Sequence, residues 1–297
     1  MDMEQADSGL LGRLRKPRGR VDVVLDTDTY NEIDDQFALS LLVKCPEKFN
    51  IRGIHAAPFF NRKSTGPGDG MEKSYGEILR VLSLLKRDDL APLVRKGSTA
   101  FLRSEHEPVE SAAASSLAEM ALGYSPEKPL YVIAIGAITN VASALLLRPE
   151  IRDRIVLVWL GGNAHHWPDN REFNLAQDVA AARIIFDSGV ALVQLPCAGV
   201  VSAFTVSGPE LEHWLRGKNE LCDYLVQVTV DEVRDEGAAG AWTRAIWDVT
   251  AVAWFLERAV EGQGKAAAGY MLDRLVPSPI PQYDHRWSFD PARHFIR

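Results

Sequence analysis

The strand-like segments of this chain are continuous apolar runs, not alternations of apolar and polar residues. Residues 21–25, 130–135, 155–160 and 190–195 are runs of this kind, and a weaker one covers 50–56. A strand that is apolar on both faces must be covered on both faces, which is the situation of a parallel sheet between helical layers. Helical patterns fill the intervals. One covers 71–86, where Ile78, Leu79, Leu82 and Leu85 share a face. Others start at Asp34 or cover 109–122, 138–147 and 178–188, and a short strand is expected over 92–95. From Gly208 the chain reads as mainly helical, over 209–216, 219–235 and 245–258, before an irregular tail from 277. The expected fold is therefore α/β, a mostly parallel central sheet flanked by helices with a helical C-terminal part. Residues 21–297 read as a single domain. Residues 1–20 are polar and end in a basic cluster, which predicts a disordered tail, with a weak anion-binding arm as the sharper alternative.

A length of 297 residues and a hydrophobic content of 46% suit one large folded domain. The net charge of -7 argues against a nucleic acid or an anionic membrane as partner. No run is long enough to span a bilayer, and the N-terminus lacks the apolar middle of a signal peptide. Cys45, Cys197 and Cys222 have no metal-ligand spacing and no even framework, so they are expected to be reduced in a cytoplasmic protein.

Directly after the first run stands Asp26-Thr27-Asp28-Thr29-Tyr30-Asn31-Glu32-Ile33-Asp34-Asp35. Four aspartates and a glutamate thus share one strand-to-helix loop. Like charges a few ångströms apart repel. A helix N-cap accounts for one of them, Asp34 or Asp35, but not for all. A hard cation removes the penalty, and oxygen ligands on a flexible loop suit Ca2+ or Mg2+ rather than zinc. Ligands of parallel α/β sheets bind beyond the carboxyl ends of the strands. The acidic loop, Gly136 and Gly161-Gly162 all fall there, so they are expected to meet in one crevice.

Three further pieces are weak singly. Glu172-Phe173-Asn174 offers acceptors and donors suited to sugar hydroxyls. Trp247-Asp248 precedes an apolar helix, where an aspartate also reads as an N-cap. Ile135-Gly136-Ala137-Ile138-Thr139-Asn140 is by itself an ordinary strand-to-helix turn.

Taken in order, these pieces resemble the nucleoside hydrolase family, the inosine-uridine-preferring N-ribohydrolases and their relatives, from Val21 to roughly Phe255. That family opens with Asp-x-Asp-Pro-Gly-x-Asp-Asp, continues with Thr-Gly-x-Leu-Thr-Asn, a Gly-Gly strand end and Glu-Phe-Asn, and closes with His-Asp or Trp-Asp. The resemblance implies calcium-dependent hydrolysis of the N-glycosidic bond of a ribonucleoside to ribose and free base. It implies Ca2+ held by Asp28, Asp35, Asp248 and the main-chain carbonyl of Ile135. The ion would hold and acidify a water, and Asp28 would be the general base that takes its proton. Asp34 would bond a ribose hydroxyl, and Glu172 and Asn174 the rest of the sugar. Nearby carboxylates would favour the positive charge developing on the ribose. A homo-dimer or homo-tetramer is also implied.

The departures from that pattern bear on substrate. The loop holds two extra residues between Asp28 and Asp34 and lacks the Pro-Gly. Asn31 and Glu32 either cap the loop or enter the pocket. Trp247 stands where a histidine of the inosine-uridine enzymes helps to protonate the leaving base. Its ring can stack on a base, which leans the expectation towards purines, or pack in the core. Counting back from Glu172 puts His166 where the family has a sugar-binding Asn, and His165 is its neighbour. Asn61 is the candidate for the family's Asn after the second strand, with Phe59 and Phe60 beside it. Residues 283–287 read as a lid or as a surface tail. Two other readings remain open here. Asp26-Thr27-Asp28-Thr29 also resembles the start of a haloacid dehalogenase-type, Mg2+-dependent phosphatase. A non-catalytic nucleoside or ribose binder would keep the fold without the turnover.

Overall fold

The computed structural model describes residues 9–237, 240–256 and 274–297. In chain order it begins with α1 (Leu10–Arg13), β1 (Val21–Thr27), α2 (Asp34–Lys44), β2 (Phe49–Ala56), α3 (Pro67–Leu84) and β3 (Val94–Lys96). Then come α4 (Ala112–Ala121), β4 (Leu130–Ala134), α5 (Thr139–Leu147), β5 (Ile155–Leu160), α6 (Phe173–Gln177), α7 (Val179–Asp187) and β6 (Ala191–Leu195). The last part holds β7 (Thr205–Ser207), α8 (Gly208–Trp214), α9 (Glu220–Asp235), β8 (Thr243–Ala245) and α10 (Val249–Leu256).

The central sheet has six strands in the order β3-β2-β1-β4-β5-β6, and every pairing in it is parallel. Consecutive residues of one strand feed opposite layers, which is why the strands are apolar throughout. Val23, Leu25, Ile133 and Val158 pack with residues of α2, α3 and α10. Val24, Val132 and Leu157 pack with residues of α4, α5 and α7. The chain leaves β1 for β2 on one side and returns to β4 on the other. The order reverses between β1 and β4, so a crevice opens beyond their carboxyl ends.

Residues 9–20 do not form the tail expected from their composition. Leu14 is fully buried in the core, and Arg13 Nη2 pairs with Asp153 Oδ1 at 2.9 Å. Lys48 Nζ donates to the carbonyls of Pro17 and Gly19. Two leucines, Leu10 and Leu14, and one buried arginine dock a segment that composition reads as loose. The rest of the expected tail, residues 1–8, lies outside the described residues.

The helix expected from 245 starts at Val249, because Thr243–Ala245 pairs antiparallel with β7. Its expected end at 258 lies outside the described residues. The C-terminal segment forms β9 (Val276–Pro277), β10 (Ile280–Pro281), β11 (Trp287–Ser288) and β12 (Phe295–Ile296), paired β9 with β12 and β10 with β11. It lies against α7 and is not placed as a lid on the acidic loop. Trp287 meets Phe186 edge-on at 5.2 Å, and Tyr283 donates to Glu105. Among the described residues no helix is long and apolar enough to cross a membrane.

Candidate active site

The acidic loop leaves the end of β1 where both neighbouring strands grip it. Ile135 N donates to Asp26 O at 2.9 Å, and Ala57 N donates to Thr27 O at 2.8 Å. Asn31 N then donates to Asp28 O at 2.7 Å, closing a turn that delivers the chain to α2. Ile33, not an aspartate, is the N-cap of α2, and it makes no side-chain cap. Asp34 and Asp35, in the first turn, are thus available for other work.

That work is to meet Asp248, which α10 presents from the far end of the chain. Asp248 N donates to Asp34 Oδ2 at 3.1 Å. One carboxylate oxygen from each of Asp34, Asp35 and Asp248 lies within 4.8 Å of the others. Asp35 also accepts from Thr27 Oγ1, which is 2.8 Å from Thr29 Oγ1. Asp28 is 1% exposed, and among the described residues neither of its carboxylate oxygens has a donor. Asp35 Oδ2 lacks one as well. Gly136, just beyond β4, lets Asp28 in: a β-carbon there would stand 3.1 Å from Asp28 Cγ.

Burial raises every one of these acids. It pushes Asp34 up to about 7, with Asp35 next in effect, and Asp35 itself up to about 6. Asp28 rises well above the carboxylate range through burial and then through Asp35, Glu32 and Asp34. Asp248 does so through burial, Asp34 and Asp35. Buried carboxylates with missing donors are costly unless a positive charge joins them. Their oxygen-only chemistry fits a hard dication. The three-carboxylate group contains Asp34 with Asp35 and Asp248, whereas the sequence reading put Asp28 in that trio. Asp28 adjoins it through Asp35. Ile135 is buried at the same strand end.

The remaining expected residues fall in different places. Glu172 is the N-cap of α6, its carboxylate accepting from Gly162 N, Asn174 N and Leu175 N at 2.7 to 2.9 Å. Burial still pushes it up to about 7. Asn174 is buried and donates to Leu160 O at 3.0 Å. Asn61 Nδ2 donates to Asn31 Oδ1 at 2.6 Å, so it holds the acidic loop directly. Phe59 is fully buried, and Phe60 is exposed. Trp247 packs against the core with its indole N–H buried and, among the described residues, unpartnered. His166 is exposed at the rim of a separate cavity of about 480 Å3 walled by Val193, Leu195, Phe204 and Trp254. His165 lines the same cavity and contacts Gln194 Oε1 at 2.9 Å.

Arg244 was not visible as a site residue in the sequence. It sits on β8, buried, with Nη2 2.7 Å from Glu32 Oε2 and Nη1 2.7 Å from Glu236 Oε2. Its guanidinium lies over the Trp247 ring at 5.8 Å. An arginine in a three-residue strand carries no motif, so nothing in the sequence marked it out.

The family model for the inosine-uridine preferring nucleoside hydrolases matches residues 23–285. The chain belongs to that family. Membership of the nucleoside hydrolases makes it a hydrolase acting on N-glycosyl bonds. It is 26% identical over 287 residues to a pyrimidine-specific ribonucleoside hydrolase, RihA, of Salmonella paratyphi A, covering 83% of this chain and 86% of that one. In fold it resembles a plant nucleoside hydrolase, with TM-score 0.66 and 18% identity over 92% of this chain and 87% of the other. It also resembles a purine-preferring ribonucleoside hydrolase from Gardnerella vaginalis, with TM-score 0.64 and 20% identity over 93% and 87%.

The phosphatase reading is set aside for this nucleoside hydrolase. Its nucleophile would be Asp26, which is fully buried and accepts from Asn140 Nδ2 at 2.8 Å. Asn140 is the last residue of the strand-to-helix motif that carried the resemblance. Its Oδ1 also accepts from Ser98 N and Oγ, so it buttresses the floor of the site.

Proposed function

We propose that the protein hydrolyses ribonucleosides to ribose and free base, with Ca2+ as cofactor and Asp28 as general base. The observation that carries this is the pair of donor-free oxygens on buried Asp28, beside the Asp34, Asp35 and Asp248 carboxylates. Asp28, Asp35, Asp248 and the Ile135 carbonyl would hold the cation. Bound there, it would supply the positive charge that keeps these acids ionised and that acidifies a nearby water. Asp28 takes the proton of that water at a carboxylate oxygen that has no competing donor. The water oxygen bonds to the anomeric carbon as the bond to the base nitrogen breaks, and the electron pair leaves with the base. Asp34 orients the ribose diol, and Asn61, through its bond to Asn31, holds the loop that carries it. Glu172 and Asn174 border the rest of the sugar.

The lean towards purines rests on Trp247 stacking, and Arg244 lies over that ring. Relatives named for pyrimidine and for purine preference both resemble this chain. The proposal therefore covers ribonucleosides as a class. The resemblance alone carries a homo-dimer or homo-tetramer, which sedimentation reads directly, and the cytoplasmic location rests on the scattered cysteines. The test is a nucleoside panel assayed for free base and ribose, with Ca2+ and with chelator. Calcium-dependent release from one or more members is expected. Tight binding of intact nucleoside without release would establish the non-catalytic binder instead.

A further inference from the structure

The two residues that lengthen the acidic loop, Asn31 and Glu32, both lead back to the last turn of α9. Asn31 Oδ1 accepts from Asn61 Nδ2 at 2.6 Å. The two residues after Asn61 end on one carboxylate: Arg62 Nη2 lies 2.7 Å from Glu232 Oε1, and Lys63 Nζ 2.7 Å from Glu232 Oε2. Lys63 N also donates to Asn61 Oδ1 at 2.8 Å, which orients the amide that holds Asn31. On the other side, Glu32 Oε2 lies 2.7 Å from Arg244 Nη2, and Arg244 Nη1 lies 2.7 Å from Glu236 Oε2. Glu236 N donates to Glu232 O at 3.0 Å, so the two glutamates ride on one helical turn.

That turn is unfavourable on local grounds. Asp231, Glu232, Asp235 and Glu236 crowd the carboxyl end of α9, where the helix dipole is itself negative. Glutamates four residues apart on a helix repel. The Glu232 side chain is only 9% exposed, and a buried carboxylate without partners is costly. Arg62, Lys63 and Arg244, drawn from two other segments, offset these costs. The loop they brace needs outside support. Residues 29–33 separate Asp28 from Asp34 without a Pro-Gly turn, and a longer loop has more conformations to lose. We propose that Glu232 and Glu236 are positioning residues, which through Asn61 and Arg244 fix the inserted Asn31 and Glu32 and so set the spacing of Asp28 and Asp34. The constraint passes to Asp28 through the main chain, since Asn31 N donates to Asp28 O at 2.7 Å. It passes to Asp34 through Ile33, which follows Glu32 directly and is buried.

The inference rests on the proposed nucleoside hydrolysis, and its test keeps the two apart. Hydrogen exchange of the amides of residues 28–34 and kcat on a cleaved nucleoside are measured with Ca2+, beside a thermal melt. The proteins compared are the wild type, Glu232→Gln, Glu236→Gln and their double variant. Asp231→Asn is the control. It removes a charge from the same turn, but among the described residues its carboxylate bonds within α9, to Gln227 and Arg234. Each glutamate variant should speed exchange in the loop, and the double variant should lower kcat roughly tenfold or more. Melting temperatures should change little, because ion pairs with exposed members add little to global stability. Asp231→Asn should match the wild type. Replacing residues 29–33 by Pro-Gly-Ile removes the insertion, and in that background Glu232→Gln should alter neither exchange nor kcat. Wild-type exchange and kcat in the double variant would overturn the inference, as would an equal effect of Asp231→Asn or continued sensitivity in the shortened loop. If the wild type releases base from no nucleoside, the hydrolase reading fails, and loop exchange alone still decides whether α9 holds the insertion.

Discussion

The main-chain amide of Asp248 donates to Asp34 Oδ2 at 3.1 Å, joining residues 214 positions apart. The contact brings the start of α10 onto the start of α2 and completes a carboxylate group that neither end of the chain contains alone. Since each carboxylate raises its neighbours, the group holds α2 and α10 together best when a cation lies among them.

Ca2+ should therefore stabilise the fold. A ligand that binds only the folded state adds about 2.7 kcal/mol at 100 times its dissociation constant. For a chain of this size that corresponds to a rise of about 5 °C in the melting temperature. Calorimetry with Ca2+ and with chelator measures it. The rise should vanish in Asp248→Ala.

Gly136 admits Asp28 to the strand end, and its own β-carbon would press on Asp28 Cγ and Ala57 Cβ, both at 3.1 Å. Gly136→Ala should displace the Asp28 carboxylate by a few tenths of an ångström. We expect kcat to fall roughly tenfold or more with a small change in melting temperature. Steady-state kinetics beside a thermal melt separates the two effects.

Glu172 gives a pH signature. Burial raises its folded pKa to about 7 from an ordinary value of 4.5. The folded state then binds the proton more tightly than the unfolded state. Its contribution to stability is complete below the unfolded pKa and is lost as pH rises through about 7, to the extent of roughly 3 kcal/mol. Urea unfolding in chelator should show stability declining between about pH 5 and 8, and Glu172→Gln should flatten that decline.

Leu14 tests the docking of the N-terminal segment. A loose tail would leave it in solvent, whereas here it is fully buried. Leu14→Ala should cost about 2–5 kcal/mol if the leucine fills the core as described. A variant as stable as the wild type would restore the tail reading.

The sheet was legible because its strands are buried on both faces, and residues 155–160 read as a strand with the bounds it has in the fold. Asp28, Asp34 and Asp35 were legible for a different reason: carboxylates crowded on one loop repel one another unless a cation lies among them, whereas Asp248, alone before an apolar helix, was reached only through the family resemblance. What escaped was set by contacts without a local pattern. β7 and β8 are three residues each and stabilise one another across the chain, and three residues carry no periodicity. Arg244 becomes a site residue only because that pairing places it against Glu32. Likewise, Glu172 read as a sugar ligand from its motif, whereas its three amide donors make it a helix cap first.

The central claim is that Asp28 takes a proton from water in calcium-dependent nucleoside hydrolysis. Asp28→Asn keeps the shape of the side chain and removes the basic oxygen. Measured with saturating Ca2+ on the best nucleoside substrate, kcat should fall by roughly 10²–10⁴-fold while the protein still melts cooperatively. Wild-type turnover by Asp28→Asn would contradict the account.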